Sequence, residues 1–229
     1  MPAVQLFATC LGDLAFPGVV ADAETLLRRA GFEVEFPSRQ VCCGQPAFNA
    51  GHRAAARRVA RTFVKAFSRE APVIVPSGSC ATMASHYLPE LVGVEPYEVW
   101  ELSAFLVKAG YRPLPRNEGR RIAYHDSCHM LRELHVADQP RRLLRASGAE
   151  LVPFARPDLC CGFGGTFSVR QPEVSLAMAD DKLAGAADAG TIVTADPGCL
   201  MQMRGRAEHT GSSLRVVHLA TALAKGVNA

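Results

Sequence analysis

The 229-residue chain is long enough to bury a core of its own, and with 48% apolar and 21% charged residues it is not a disordered chain. A formal net charge of +3, from 25 basic and 22 acidic side chains spread along the sequence, gives no reason to expect nucleic acid or an anionic membrane as the main partner. No apolar run approaches the roughly 18 residues that span a bilayer. The start Met-Pro-Ala-Val-Gln-Leu lacks a basic secretory segment, so the expected location is the cytoplasm.

In chain order, residues 4–8 predict a short apolar strand and residues 19–30 an amphipathic helix closed by Gly31. Residues 32–36 alternate apolar and acidic side chains, as a half-buried strand does. A long helix is expected over 52–70 and a buried strand over 73–75, before Pro76. The stretch 111–119, rich in proline and polar residues, follows a helical segment and marks a join. Beyond it come a strand at 122–125, a helix near 139–146, a strand at 151–154 and a helix over 172–189. A strand at 192–194, a helix after Cys199 and a strand at 214–218 complete the pattern. Strands alternating with helices predict an α/β fold with largely parallel sheets and Rossmann-like halves, the first repeat at 1–113 and the second at 119–229.

The eight cysteines carry the strongest signal. Cys10 to Cys42 is a step of 32, and so is Cys128 to Cys160. Each step ends in a vicinal pair followed by glycine, Cys42-Cys43-Gly44 and Cys160-Cys161-Gly162. A last cysteine follows after 37 residues (Cys43 to Cys80) or 38 (Cys161 to Cys199). Three gaps matched this closely identify an internal duplication of a foldable half. Every cysteine falls a few residues after an expected strand, and in open α/β sheets the loops at the carboxyl ends of strands converge on one edge. The pattern therefore predicts a four-thiol site in each half.

Thiolates select zinc, Cu(I) or iron–sulfur clusters. Structural zinc usually uses Cys-x2-Cys knuckles, which are absent here, whereas a vicinal pair suits a cluster whose irons need separate ligands. Gly44, Gly162, Gly164 and Gly165 lie beside the thiols, where their amides could donate to sulfur. Zinc instead of a cluster, and thiol–disulfide exchange by a vicinal pair, are the alternatives left open.

The motifs Gln40-Val-Cys-Cys-Gly-Gln-Pro46, Pro76-Ser-Gly-Ser-Cys80, His125-Asp-Ser-Cys-His129, Cys160-Cys-Gly-Phe-Gly-Gly165 and Gly198-Cys-Leu-Met201, in that order, resemble the duplicated cysteine-rich CCG domain. It occurs in the heterodisulfide reductase B subunit and the glycolate oxidase iron–sulfur subunit, and the nearest likeness is the lactate-utilisation protein A family. That resemblance implies an iron–sulfur protein, with one or two clusters of the [4Fe-4S] kind held by the eight cysteines. It further implies action beside a ferredoxin-like iron–sulfur protein in a complex that oxidises L-lactate to pyruvate. The heterodisulfide reductase subunit ends each half in Cys-x2-Cys, but here Met83 and Gln202 stand at that spacing, leaving four thiols per half.

His125 and His129 bracket Cys128, so either imidazole could complete a ligand set or move a substrate proton, and both are candidate catalytic residues. The remaining histidines have no such pattern and read as structural. Arg53, Arg57, Arg61, Lys65 and Arg69 recur along one face of the 52–70 helix. That stripe is either a solvated helix face or a docking surface for an acidic electron-transfer partner.

Overall fold

In the computed structural model, which describes residues 1–186 and 188–229, the chain divides into two compact units, Met1–Tyr111 and Arg112–Ala229. Each is an α/β unit with a four-stranded, wholly parallel sheet. The first holds β1 (Ala3–Leu6), β2 (Glu33–Glu35), β3 (Val73–Val75) and β4 (Val99–Glu101) in the spatial order β2-β1-β3-β4. The second holds β5 (Arg121–His125), β6 (Glu150–Leu151), β7 (Thr191–Thr194) and β8 (Arg215–His218) in the matching order β6-β5-β7-β8. The duplication seen in the cysteine spacing is thus a duplication of topology.

The central strands are covered on both faces, so apolar residues dominate them. Val4, Leu6, Val73, Ile74 and Val75 are buried in the first unit, and Ile122, Ala123, Ile192 and Val193 in the second. Edge strand β2 keeps Glu33 and Glu35 exposed around half-buried Val34, which is the alternation its sequence shows.

The differences from the sequence expectations have local causes. The helix expected to 70 is Arg53–Ala66, because Phe67 turns extended and the Ser68 amide donates to the buried Gln5 side chain. The strand expected over 151–154 is only Glu150–Leu151, since Pro153 has no amide for the ladder. The helix expected over 172–189 is Pro172–Ala184, and residue 187 of that range lies outside the described residues. Strand β4 was not anticipated; three residues that follow Glu98 and end in Glu101 carry too little pattern to read. The proline-rich stretch lies in the second unit, anchored by buried Asn117. Its amide donates to Ser147 Oγ and the Ala222 carbonyl (both 2.8 Å), and its side-chain oxygen accepts from the Val227 amide.

Candidate metal centre

Each cysteine is delivered to the carboxyl edge of its sheet by a short structural device. Cys10 opens the helix Cys10–Ala15, capped by the Thr9 hydroxyl, which accepts from the Gly12 amide. Cys80 sits in the first turn of Gly78–Thr82, where its own amide donates to the Ser77 hydroxyl. Cys128 opens Cys128–Arg132, and Cys199 lies in the first turn of Pro197–His209, capped by Asp196. The first vicinal pair is tied to β1 by Gln40, whose side chain accepts from the Ala8 amide (2.8 Å) and donates to the Leu6 carbonyl (3.1 Å). Lysine takes that tethering role in the second unit. Buried Lys182 donates to the Arg156 and Pro157 carbonyls (2.8 and 2.9 Å), fixing the loop that leads to Cys160.

The four thiols of each unit meet. In the first, Cys10 Sγ donates to Cys42 Sγ and Cys43 Sγ to Cys80 Sγ, each at 3.4 Å. In the second, Cys128 bonds Cys160 and Cys161 bonds Cys199. All eight are free thiols, with Cys43, Cys80, Cys161 and Cys199 buried and the others half-buried.

The two glycines behind the pairs adopt positive φ, +92° at Gly44 and +88° at Gly162, and this turns their amides back onto sulfur. Gly44 N–H donates to Cys42 Sγ and Gly162 N–H to Cys160 Sγ, both at 3.4 Å. Gly164 and Gly165 also have positive φ, but neither amide bonds a cysteine among the described hydrogen bonds.

These contacts decide where negative charge sits. Hydrogen bonds from Cys10 and Cys43, then the Gly44 amide, hold the Cys42 thiol down at about 3 against the opposing effect of burial. Cys128, Cys161 and the Gly162 amide hold Cys160 down at about 2. Cys10 and Cys128 are pushed up by donating to those partners and by burial. Cys43 and Cys161, each wedged between two thiols, are pushed up as well. Each unit is therefore built around one thiolate, with its other thiols arranged about it.

His125 ends β5, and its ring is fully buried. A ligating nitrogen of His125 and the Cys161 and Cys199 sulfurs lie within 4.8 Å of one another. Burial, then the nearby Lys182 ammonium, lowers His125 to about 3, so the ring is a neutral imidazole able to donate a lone pair. His129 is elsewhere: its Nδ1 pairs with the Glu133 carboxylate one helical turn on, and both side chains are partly exposed. Sequence reasoning missed Lys182, hidden inside a helical stretch, and the bidentate pair of Arg141 with Asp126 (both contacts 2.7 Å) beside the Cys128 loop. No sequence spacing announces either.

The basic stripe is exposed, but three of its members serve their own unit. Arg57 Nε donates to the Leu91 carbonyl at the end of the helix Leu88–Val92, and Arg69 to the carbonyls of Glu95 and Pro96. Arg53 lies 3.6 Å above the Phe48 ring.

Soft sulfur donors in contact, one in each unit held toward its thiolate form, fit a thiophilic metal or cluster. No helix among the described residues is long and apolar enough to cross a membrane. The cysteine-rich domain family CCG matches twice, at residues 4–84 and 122–204. Lactate utilization protein A 2 of Bacillus cereus (strain 03BB102) is 37% identical over 98% of this chain and 99% of its own length. Lactate utilization protein A of Shouchella clausii (strain KSM-K16) is 39% identical over 96% and 98%. Among solved structures, the glutamate racemase RacE1 of Bacillus anthracis superposes with a TM-score of 0.37 at 11% identity, covering 99% of this chain and 79% of that one, a likeness too distant to carry any argument. Two domain matches in tandem and near-complete alignment to these relatives place the chain in the lactate utilization protein A family of duplicated CCG cysteine-rich domains.

Proposed function

We propose that the protein is an iron–sulfur electron-transfer component of a system that oxidises L-lactate to pyruvate. The observation that carries this reading is the meeting of four thiols at one sheet edge in each unit. The ligands are Cys10, Cys42, Cys43 and Cys80 in the first unit and Cys128, Cys160, Cys161 and Cys199 in the second. A cluster of the [4Fe-4S] kind bound there supplies a one-electron carrier. The chain's own groups prepare for it. Cys42 and Cys160 offer thiolates before any metal arrives, and the amides of Gly44 and Gly162 stabilise that charge. Gly164 and Gly165, which follow in the same loop, adopt positive φ that a side chain would strain. His129, the chain neighbour of Cys128, partly exposed and paired with Glu133, is the candidate for handling a substrate proton. The lactate role follows the relatives' names, and a ferredoxin-like iron–sulfur protein in the cytoplasm is the proposed partner. In a strain lacking the gene, the wild-type chain restores growth on L-lactate and the Cys43→Ser, Cys161→Ser double variant does not. Full growth with the double variant contradicts the proposal.

One observation favours a second reading, a zinc-stabilised assembly module. Sulfurs around a tetrahedral zinc with bonds of about 2.3 Å lie roughly 3.8 Å apart. The 3.4 Å contacts here need only a small expansion to reach that spacing.

A further inference from the structure

The two units have matching cysteines but different surroundings. Three residues before Cys10 stands Phe7, just past the end of β1; three residues before Cys128 stands His125, the last residue of β5. Both side chains are fully buried. Phe7 packs edge-on against Phe63 and Phe67, with centroids 5.4 and 5.3 Å away, so an apolar cluster accounts for it. His125 has no such account. Among the described residues neither ring nitrogen has a hydrogen-bond partner, and the Pro157 carbonyl approaches without completing a bond of normal geometry. Leaving a buried polar group unsatisfied is costly, so a ring retained in this state calls for a partner the protein chain does not supply. The sulfurs of Cys161 and Cys199, within 4.8 Å, show where that partner would sit.

We infer that His125 is a metal ligand alongside the cysteines of the second unit, which makes that site a mixed sulfur–imidazole centre and the first an all-sulfur one. This rests on the metal-binding reading above and deepens it. A neutral imidazole adds no negative charge to the site, and histidine ligation of iron–sulfur centres raises their potential. The Lys182 ammonium, buried in the same unit, acts in the same direction. The equivalent helix of the first unit, Arg53–Ala66, buries only Ala56, Ala60 and Phe63. The second site therefore has the higher potential of the two.

The test uses the full chain, reconstituted with iron and sulfide without oxygen, with and without ¹⁵N-labelled histidine. If iron and sulfide are incorporated, pulsed EPR of the reduced protein shows a nitrogen coupling that changes with the label and is lost in His125→Phe. A potentiometric titration of the wild type shows two waves, and the higher one moves down in that variant. Iron and sulfide without a histidine nitrogen coupling overturn the inference and leave the proposed function standing. If the chain takes up zinc alone, the proposed function fails and X-ray absorption at the zinc edge decides the ligand. A nitrogen in the zinc shell that His125→Phe removes supports it, and an all-sulfur shell overturns it. The labelled wild type decides the question even where the variant does not fold.

Discussion

The Cys43 and Cys80 sulfurs, 37 residues apart in the chain, lie 3.4 Å from each other, and Cys10 and Cys42, 32 residues apart, do the same. Each βα passage returns the chain to the same sheet edge, which is why such separations collapse. The contacts leave one thiolate in each unit and raise its neighbours, and this gives the metal-free protein a reactivity pattern of its own.

Alkylation of the reduced, metal-free chain exposes that pattern. Cys42 and Cys160 are half-buried and held far below the ordinary thiol range by the hydrogen bonds they accept, so their reaction with iodoacetamide is expected to be nearly flat between pH 5 and 8. An ordinary thiol with a value near 8.5 speeds up about tenfold per unit over the same range. Peptide mapping by mass spectrometry reads each site, with Cys43 and Cys161 expected to react last. A tenfold rise per unit at Cys42 contradicts the assignment.

The two glycines behind the vicinal pairs are expected to differ in tolerance. A Cβ at Gly162 would lie 2.4 Å from the Ser175 carbonyl oxygen, whereas one at Gly44 would lie 3.3 Å from the Ala56 carbonyl. Both substitutions also carry the strain of positive φ. Gly162→Ala should therefore lose about 2 kcal/mol or more, and Gly44→Ala about 1 kcal/mol. Urea unfolding of the metal-free variants measures both; equal losses contradict the packing argument.

The cysteine centre was legible in the sequence because spacing records topology, and a parallel βα fold fixes where each return falls. Gln40, Lys182 and the orphaned state of His125 were not legible in the same way. Gln40 appears in the motif, but its bonds to Ala8 and Leu6 depend on a loop's path. Lys182 reads as one more charge on a helix, and only the structure buries its ammonium against two carbonyls. The basic stripe shows the opposite limit. Helical periodicity placed Arg57 on an exposed helix face and carried the helix on to Arg69, which lies beyond its end at Ala66, and could not reveal the backbone carbonyls that both engage.

The stability of the metal-free chain should fall above about pH 9. The raised thiols, among them Cys43 and Cys161, keep protons that the unfolded chain gives up, so the stability they confer is present below their unfolded values and lost as pH rises. Lys182 acts in the opposite direction. Burial lowers it to about 8 from its ordinary 10.5, so between those values the unfolded chain binds more protons and this group's contribution to stability grows with pH. Removing it in Lys182→Met should make the alkaline decline steeper between pH 8 and 10.5. Chemical denaturation of both chains across that window is the check; parallel curves contradict the assignment.

Charge reversal of Arg57 and Arg69 should act on the first unit itself. Each guanidinium satisfies carbonyls that would otherwise face water or repel a carboxylate, so Arg57→Glu and Arg69→Glu are expected to lose about 1 kcal/mol each. Arg61→Glu, on the same face and with no described hydrogen bond or ion pair, serves as the control. Equal melting temperatures for all three variants and the wild type remove the structural role.

The most direct measurement is the iron, acid-labile sulfide and zinc content per chain of protein purified without oxygen, with its visible absorption spectrum. Iron and sulfide in near-equal amounts, lost from the first unit in Cys42→Ser and from the second in Cys160→Ser, is the predicted result. Colourless protein holding stoichiometric zinc and taking up neither iron nor sulfide on reconstitution would contradict the electron-transfer account.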